Sequence, residues 1–270
     1  MKVFLDYEIG DSGKSKFLKR LIPAMAKIGV EFRGKQDGCD VALGISKWRT
    51  KTKIPKVLRI DGVYIDGDGQ RNEWINDQIK KSIKKSDAVI FQSQFAKKKV
   101  IEVLKPKIKQ CCVIYNGANP EDYDVEPIDT GFERNVISVA KWCNRHGLRK
   151  QKGLKKNIKT MTAMAEKEPK TGFFIAGKVP DKYKDTDRIK FLGKIDEPIL
   201  RRYLKACDRM VYMATLDWMP NALTEAIVAG CDITYNPDCE SSVEIAGLYK
   251  QELYIDNTAL KYKKVFEGVL

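Results

Sequence analysis

The segment ATLDWMPNALTEAIVAG places Asp217 eight residues before Glu225. Its apolar pattern predicts that Asp217 follows a strand and that Glu225 lies in a helix starting near Asn221, with Asn221 as its cap. In an open parallel sheet, a carboxylate at this end of a strand lies on the ligand-binding side. Backbone N–H groups of the first helical turn, through Ala222 and Leu223, attract anions to the same edge. We therefore expect an anion site here, with Glu225 placed to bind a ribose diol.

A second segment, VISVAKWCNRHGLRKQKG, carries two lysines at a junction between a strand and a helix. The predicted strand ends at Ala140, and Lys141 and Lys152 flank the loop that leads to the next helix. Two ammonium groups at such a junction suit the neutralisation of a diphosphate leaving group. A solvated, lysine-rich loop is the alternative for this segment taken alone.

Both segments belong to a regular alternation of strands and helices. In the first half, apolar runs predict strands at residues 2–7, 39–44, 56–60, 88–92 and 112–115, and amphipathic patterns predict helices at 14–28, 73–85 and 94–104. In the second half, the predicted strands are 136–140, 172–176, 189–192, 210–214 and 232–235, and the predicted helices are 153–167, 197–206, 222–229 and 259–269. This alternation predicts an α/β fold with parallel sheets and crossover helices.

The stretch NGANPEDYDVEPIDTGFERN interrupts the alternation and is rich in glycine, proline and acidic residues. Such a composition without apolar periodicity predicts a linker. A chain of 270 residues is long enough for two modest domains. We therefore predict two Rossmann-like domains, residues 1–118 and 119–258, and a terminal helix within 259–270 that either domain would accommodate.

Together these motifs resemble the family-4 retaining glycosyltransferases, which have the GT-B fold. The resemblance rests on SVAKW, the Lys-Gly step, FFIAGKV, IKFLGKI and the D-x7-E pattern inside PNALTEAIVAG, with LRIDGVY, SDAVIFQSQFAKK and VIYNGAN in the first half. It implies two Rossmann-like domains with the active site in the cleft between them. It also implies metal-independent transfer of a sugar from a nucleotide-sugar donor, bound by the second domain, to an acceptor hydroxyl on the first domain, with retention of configuration.

The resemblance also implies roles for single residues. Lys141 and Lys152 stand where the family keeps an Arg/Lys pair that binds phosphate, and Glu225 is the acid that holds the ribose. Asp217 stands at the first acid of the pattern, facing the transferred sugar, where a longer Glu is usual. Asp61 occupies the segment in which many members place a catalytic histidine.

The segment GDSGKS resembles a phosphate-binding loop, but that pattern requires a glycine where Glu8 stands. A carboxylate there would repel a phosphate, so a kinase or ATPase is not expected. The segment fits the first strand-to-helix turn, where GT-B enzymes have a glycine-rich loop beside the donor phosphates. Gly10 and Gly13 are therefore candidates for donor contacts, and a plain turn is the alternative.

Metal-binding patterns are weak throughout the chain. Asp66-Gly67-Asp68 matches the DxD metal motif of other glycosyltransferases, but a tight turn explains an Asp-Gly segment better. None of the seven cysteines forms a CxxC pair, and His146 is the only histidine. We therefore expect no metal or other cofactor, and reduced, mostly buried thiols.

The net charge of +14 is concentrated in the first half of the chain. Residues 1–118 contain 25 basic and 13 acidic residues, whereas residues 119–270 contain 25 and 23. Four lysines (Lys80, Lys81, Lys84 and Lys85) lie on a predicted helix whose isoleucines form a separate stripe. Such a field attracts anionic partners, so the acceptor is expected to be lipid-linked or a glycan, with peripheral contact to an anionic membrane.

Two alternatives to this function stay open. A glycosyltransferase that modifies nucleic acid would also use a basic surface, although nucleic acid is not the expected partner because interleaved aromatic residues are missing. A non-catalytic nucleotide-sugar-binding protein fits the missing histidine. The chain has no apolar run of about 20 residues and reaches Asp6 before a signal-peptide core would form, so a cytoplasmic location is expected.

Overall fold

The computed structural model describes residues 1–10, 12–65, 69–144 and 147–270. The predictions for Asp66, Gly67, Asp68 and His146 therefore lie outside the described residues. The chain divides into two units: residues 1–117 together with 251–270 form unit 1, and residues 118–250 form unit 2.

Unit 1 is built on a six-stranded, entirely parallel sheet with the strand order β2-β1-β3-β4-β5-β6. Its strands are β1 (Lys2–Asp6), β2 (Glu31–Arg33), β3 (Val41–Ile45), β4 (Lys56–Ile60), β5 (Ala88–Phe91) and β6 (Cys111–Val113). The helices between them are α1 (Gly13–Lys27), α2 (Gly69–Lys84) and α3 (Gln94–Leu104). The strand order reverses between β1 and β3, which creates a crevice at the carboxyl ends of these two strands.

The last helix, α8 (Ile255–Glu267), packs in the core of unit 1. Its Tyr262 is fully buried, and the Tyr262 ring centroid lies 6.0 Å from that of Phe17 on α1. Gly117 lies against the first residue of α8, where a Cβ atom would overlap the Ile255 backbone. The helix whose attachment the sequence left open therefore completes the core of the first unit.

Unit 2 contains a five-stranded parallel sheet with the order β11-β10-β7-β12-β13. Its strands are β7 (Arg134–Val139), β10 (Thr171–Ala176), β11 (Ile189–Gly193), β12 (Arg209–Tyr212) and β13 (Asp232–Tyr235). A short hairpin, β8 (Cys143–Asn144) and β9 (Gly147–Leu148), follows β7. The helices are α4 (Leu154–Lys167), α5 (Glu197–Ala206), α6 (Asn221–Ala229) and α7 (Glu240–Ala246). Here the strand order reverses between β7 and β12.

The predicted fold class, α/β with two parallel sheets and crossover helices, is confirmed. Four elements have the predicted bounds, namely β4, α3, α5 and β13, and the other predicted elements shift by a few residues. Three elements were missed: β2, the β8–β9 hairpin and α7. Strands of two or three residues and a seven-residue helix are too short to show a period in the sequence.

The basic helix α2 packs as its isoleucine stripe predicts. Ile79 and Ile83 are buried, whereas the four lysines of residues 80–85 are exposed. Lys81 forms an ion pair with Asp77 one turn earlier, with 2.6 Å between the charged atoms. Most of the basic charge on this helix therefore faces solvent.

Candidate functional site

In unit 2, the lysine-rich loop packs directly against the carboxyl end of β12. Gly153 has a φ of +70°, and a Cβ atom at this position would overlap the Met213 carbonyl oxygen. The Thr215 N–H donates to the Gln151 carbonyl at 2.8 Å, which joins the same two segments. The glycine of the Lys-Gly step is therefore needed to bring Lys152 to the edge where the strand order reverses.

Lys152 and Asp217 meet at this edge. The Asp217 Oδ2 atom accepts hydrogen bonds from the Lys152 ammonium and from the Tyr212 hydroxyl, the latter at 2.6 Å. The side chains of Lys152 and Asp217 are 15% and 13% exposed. Ser241 on α7 donates to the Asp217 carbonyl oxygen at 2.6 Å and so fixes the backbone of this residue.

The protonation states in this cluster follow from its geometry. Burial opposes ionisation of Asp217, but the Lys152 ammonium and the hydrogen bonds from Lys152, Tyr212 and the Met219 N–H together lower the pKa of its carboxyl group. Burial and the neighbouring Asp217 carboxylate raise the pKa of Tyr212 well above its usual value. At neutral pH, Asp217 is therefore an ionised hydrogen-bond acceptor and Tyr212 a neutral donor.

Helix α6 begins beside this cluster. Its cap is Pro220, whose carbonyl accepts from the Leu223 and Thr224 N–H groups at 3.0 and 3.2 Å. The prediction that Asn221 caps the helix was therefore wrong, because the first turn closes on the preceding carbonyl and Asn221 is already helical. Glu225 lies in the second turn and is half-buried.

Helix α6 ends where the sequence predicts. Gly230 has a φ of +104°, and its N–H donates to the Ala226 carbonyl at 3.0 Å. This left-handed conformation, which glycine adopts at little cost, ends the helix as predicted.

Lys141 lies two residues beyond β7 and is exposed. Within the described residues it forms no ion pair or side-chain hydrogen bond with Lys152 or Asp217. The backbone around it is nevertheless fixed, because the buried Trp142 donates its indole N–H to the Ala176 carbonyl at 2.9 Å. The structure thus joins Lys152 to Asp217 and leaves the Lys141 side chain in solvent.

A polar network occupies the carboxyl edge of the sheet in unit 1. Asp61 follows β4 and pairs with the Lys14 ammonium at 3.0 Å and with the Arg59 guanidinium. Ser46, which follows β3, donates its hydroxyl to Asp61 at 2.8 Å. Burial opposes ionisation of Asp61, but Arg59, Lys14 and the Ser46 hydroxyl lower the pKa of its carboxyl group.

Arg59 is the buried centre of this network. It donates to the Gln92 and Asn116 side-chain oxygens at 3.1 and 2.9 Å, and its guanidinium carbon lies 4.4 Å from the centroid of the Phe17 ring. Its side chain is 1% exposed. Asp61 therefore balances a cation that has no access to solvent.

The glycine-rich loop uses its polar groups internally. The Gly10 N–H donates to Ser15 Oγ at 2.9 Å, and Ser12 caps α1 by accepting from the Ser15 N–H at 3.2 Å. Gly13 is the first residue of α1. The contact of Gly10 and Gly13 with a donor stays a prediction.

Several residues of both clusters were not singled out from the sequence. They are Tyr212, Ser241, Lys14, Ser46 and Arg59. Lys14 lies inside GDSGKS, and Tyr212 lies within the apolar run of residues 210–214, so neither was interpreted as a polar group of a site.

A cavity of about 290 Å³ opens at the opposite, amino-terminal edge of the sheet in unit 2, beside Asn135, Asp208 and Arg209. Two of its charged groups already have partners: Asp208 accepts from the Asn135 backbone N–H at 2.8 Å, and Arg209 lies 3.8 Å from Glu168. We assign it no role.

Three properties of the described residues bear on the chemistry. All seven cysteines are free, and four are buried, as predicted. In the part of the chain that the structure describes, no group of three or more His, Cys, Asp or Glu side chains is arranged to hold a metal ion. No helix among the described residues has the length and apolar character to cross a membrane.

No protein-family profile matches the chain, and no curated protein sequence matches it. Solved structures, in contrast, match it over almost its whole length. The chain is similar to sucrose-phosphate synthase from Thermosynechococcus elongatus, with a TM-score of 0.72 and 13% identity over 99% of this chain and 98% of that one. It is also similar to Anabaena HepE in complex with UDP and glucose, with a TM-score of 0.66 and 12% identity over 99% of both chains.

WaaG, described as a glycosyltransferase involved in lipopolysaccharide biosynthesis, matches with a TM-score of 0.65 and 13% identity over 100% of this chain and 99% of that one. At these identities the likeness concerns the arrangement of the backbone. The chain therefore has the GT-B fold of these glycosyltransferases.

Proposed function

We propose that the protein is a glycosyltransferase that moves a sugar from a nucleotide-sugar to an acceptor hydroxyl, with retention of configuration and without a metal ion. The observation that carries the proposal is the Lys152–Asp217–Tyr212 cluster. It lies where the strand order of unit 2 reverses, next to the start of α6, which is where α/β sheets bind nucleotides. The likeness of the fold to HepE, which has been solved with UDP-glucose, supports UDP-glucose as the first donor to test.

Each group at this edge has a part in donor binding. The Lys152 ammonium has three N–H donors, so it contacts a phosphate oxygen while it keeps its bond to Asp217. Lys141 supplies a second positive charge, and the N–H groups of Asn221 and Ala222 supply the helix N-terminus, whereas the Leu223 N–H already donates to the Pro220 carbonyl. Glu225 accepts hydrogen bonds from the ribose diol, and Asp217 accepts them from hydroxyls of the transferred sugar.

The chemistry then depends on departure of the nucleoside diphosphate. The positive charges around Lys152 stabilise the negative charge that develops on the leaving phosphate. Asp217 is held by two donors on one oxygen and serves as an acceptor of hydrogen bonds, so no covalent intermediate on the protein is invoked. The acceptor oxygen bonds to the anomeric carbon on the face from which the diphosphate departs, and the departing phosphate oxygen takes the hydroxyl proton. The anomeric configuration is thereby retained.

Unit 1 would bind the acceptor and meet an anionic membrane that carries it. Ile101 and Val103 on α3 are each 42% exposed, and six lysines lie on the same helix or just after it: Lys97, Lys98, Lys99, Lys105, Lys107 and Lys109. Exposed apolar side chains among lysines are typical of peripheral membrane contacts. Each lysine near an anionic bilayer contributes about 1 kcal/mol, so attachment should weaken as salt rises.

The donor site is tested by calorimetry and thermal unfolding with UDP-glucose, UDP and GDP. At a hundredfold excess over the dissociation constant, a bound nucleotide stabilises the fold by about 2.7 kcal/mol. Lys152→Gln should weaken nucleotide binding, whereas Lys159→Gln, an exposed lysine of α4, should not. If no nucleotide raises the melting temperature of the wild type, the proposal is wrong.

Two further assays test the sugar transfer and the membrane contact. Tight donor binding without sugar transfer to any of a broad set of acceptors would favour the non-catalytic alternative. Flotation with anionic and neutral liposomes tests the membrane contact. The variant Ile101→Ser/Val103→Ser is compared with a variant that has glutamine at the four lysines of residues 80–85. Equal recovery on both lipids would exclude an electrostatic membrane contact.

A further inference from the structure

Unit 1 presents a tryptophan to solvent near its polar network. Trp74 on α2 is 59% exposed, whereas Trp142 is buried and Trp48 and Trp218 are half-buried. The Lys47 ammonium lies 5.4 Å from the centroid of the Trp74 ring. Cations are attracted to the face of an indole ring, so Lys47 orients the ring while much of it stays accessible.

A strained turn places Lys47 there. Ser46 has a φ of +63°, an unfavourable conformation for a residue other than glycine. The turn is closed by the Ser46 N–H, which donates to the Arg59 carbonyl at 2.7 Å, and by the Lys47 N–H, which donates to the Ile45 carbonyl at 2.8 Å. One turn at the carboxyl end of β3 therefore directs Ser46 toward Asp61 and Lys47 toward Trp74.

The groups around this turn combine three kinds of binding chemistry. The Trp74 ring offers an apolar, electron-rich face, against which the C–H face of a sugar ring can pack. Ser46 and the ionised Asp61 offer polar groups for hydroxyls, beside the partly exposed Lys14. Among the described residues, Lys47 has no carboxylate within ion-pair distance, so its charge is available to an anion.

We infer that Trp74 and Lys47 form the binding site for the acceptor of the proposed reaction, and that this acceptor is a saccharide with a phosphate or carboxylate group. The sugar ring packs on Trp74, its anionic group binds Lys47, and its hydroxyls meet Ser46 and Asp61. This inference rests on the proposed glycosyltransferase function but concerns only residues of unit 1.

The test uses the full-length protein labelled with 5-fluorotryptophan. Its four tryptophans give four fluorine resonances, and Trp74→Phe identifies the one that belongs to Trp74. The probes are glucose 6-phosphate for the phosphate and glucuronic acid for the carboxylate, with glucose and inorganic phosphate as controls. We expect at least one anionic sugar to shift the Trp74 resonance saturably, about tenfold more tightly than glucose.

Matched variants test whether the Lys47 ammonium binds the anionic group of the sugar. Lys47→Gln should weaken binding of the anionic sugar about tenfold and leave the Trp74 resonance in the spectrum, whereas Lys53→Gln, an exposed lysine of the same segment, should have no effect. The other three resonances report that each variant is folded. Neither substitution should change the affinity for UDP-glucose.

Three results would overturn the inference. The first is a Trp74 resonance that neither anionic sugar moves, and the second is a shift that glucose and phosphate together reproduce. The third is an equal loss of affinity for the anionic sugar in Lys47→Gln and Lys53→Gln, which would indicate general attraction of anions. A shift caused by anionic vesicles, with none from the sugars, would assign this surface to the membrane instead. If none of UDP-glucose, UDP and GDP binds the same samples, the proposed function is rejected, and the Trp74 result is then judged by itself.

Discussion

Each unit carries one aspartate after a strand of its sheet, paired with a lysine, yet the two aspartates balance different charges. Asp217 pairs with Lys152 and takes its second hydrogen bond from the neutral Tyr212. Asp61 pairs with Lys14 and also with Arg59, whose side chain is almost completely buried. The cluster in unit 2 is therefore neutral, whereas the network in unit 1 keeps one excess positive charge.

Asp217 therefore pairs with a lysine that can still bind a ligand, whereas Asp61 stabilises a buried cation in addition to facing the proposed acceptor site. Among the described residues Lys152 pairs with one carboxylate, and its remaining N–H groups can bind a phosphate without leaving a charge unpaired. Asp61 must hold the buried Arg59, which in turn fixes Gln92 and Asn116. We therefore expect substitutions at Asp61 to affect stability first and substitutions around Asp217 to affect ligand binding first.

The largest effect is expected from Asp61→Ala. Removing one partner of a buried ion pair costs about 3–5 kcal/mol, because the remaining charge is left unpaired in the interior. Thermal unfolding and hydrogen exchange in β4 should show this loss. Asp217→Ala should lose less stability, because Lys152 can turn toward water. Equal losses in the two variants would contradict the comparison.

The next effect is on ligand binding by unit 2. Glu225→Ala should weaken UDP binding about ten- to a hundredfold, since a hydrogen bond to a charged group is worth roughly 1.5–3 kcal/mol. Glu166→Ala, an exposed acid on α4, is the matched control and should bind UDP like the wild type. Calorimetry measures both. Unchanged affinity in a folded Glu225→Ala protein would remove this residue from the donor site.

A smaller effect is expected on the stability of the fold at acidic pH, to which the hydrogen bond from Tyr212 to Asp217 contributes. The pKa values of Asp61 and Asp217 are lowered by folding, so both contribute stability above the usual carboxyl pKa of about 4 and lose it as pH falls toward their folded values. Tyr212→Phe removes one donor to Asp217, so the folded pKa of this carboxyl should rise and its contribution should shrink.

Denaturation curves from pH 7 to pH 2 test this prediction. Stability of the wild type should be nearly flat above pH 5 and fall below it, and the fall should be less steep in Tyr212→Phe. Tyr254→Phe, a change outside the cluster, should keep the wild-type profile. Identical profiles in all three proteins would mean that the Tyr212 hydroxyl does not hold Asp217.

The elements that position both aspartates could be predicted from the sequence. Apolar runs locate the strands, and the chain order alone predicts that Asp61 and Asp217 lie at the carboxyl edges of parallel sheets. The Lys-Gly step at Gly153 is also readable, because a glycine between a lysine and an amphipathic helix signals a tight approach of the backbone. The sequence thus placed Lys152 and Asp217 each at a strand-to-helix junction, but their direct ion pair was not predicted.

The partners of these residues could not be predicted in the same way. Tyr212 ends a buried strand, and an aromatic residue there is usually part of the core. The turn at Ser46 needs a positive φ that neither serine nor its neighbours signal, since glycine and asparagine are the usual residues. Trp74 and Lys47 are distant in the sequence and meet only through the packing of α2 near β3.

The smallest effect is expected from metal removal. If the Lys152 N–H groups, Lys141 and the start of α6 together stabilise the diphosphate, EDTA should leave UDP binding and sugar transfer unchanged, and added Mn²⁺ should not tighten binding. Asp66→Asn/Asp68→Asn, which changes the DxD segment outside the described residues, should behave like the wild type. Lys152→Gln provides the contrast, because it removes the charge that would make a metal unnecessary, and Mn²⁺ should not restore its affinity. Loss of activity in EDTA that Mn²⁺ reverses, with the same loss in the double Asp→Asn variant, would instead place a cation at the diphosphate and reduce Lys152 to a partner that holds Asp217.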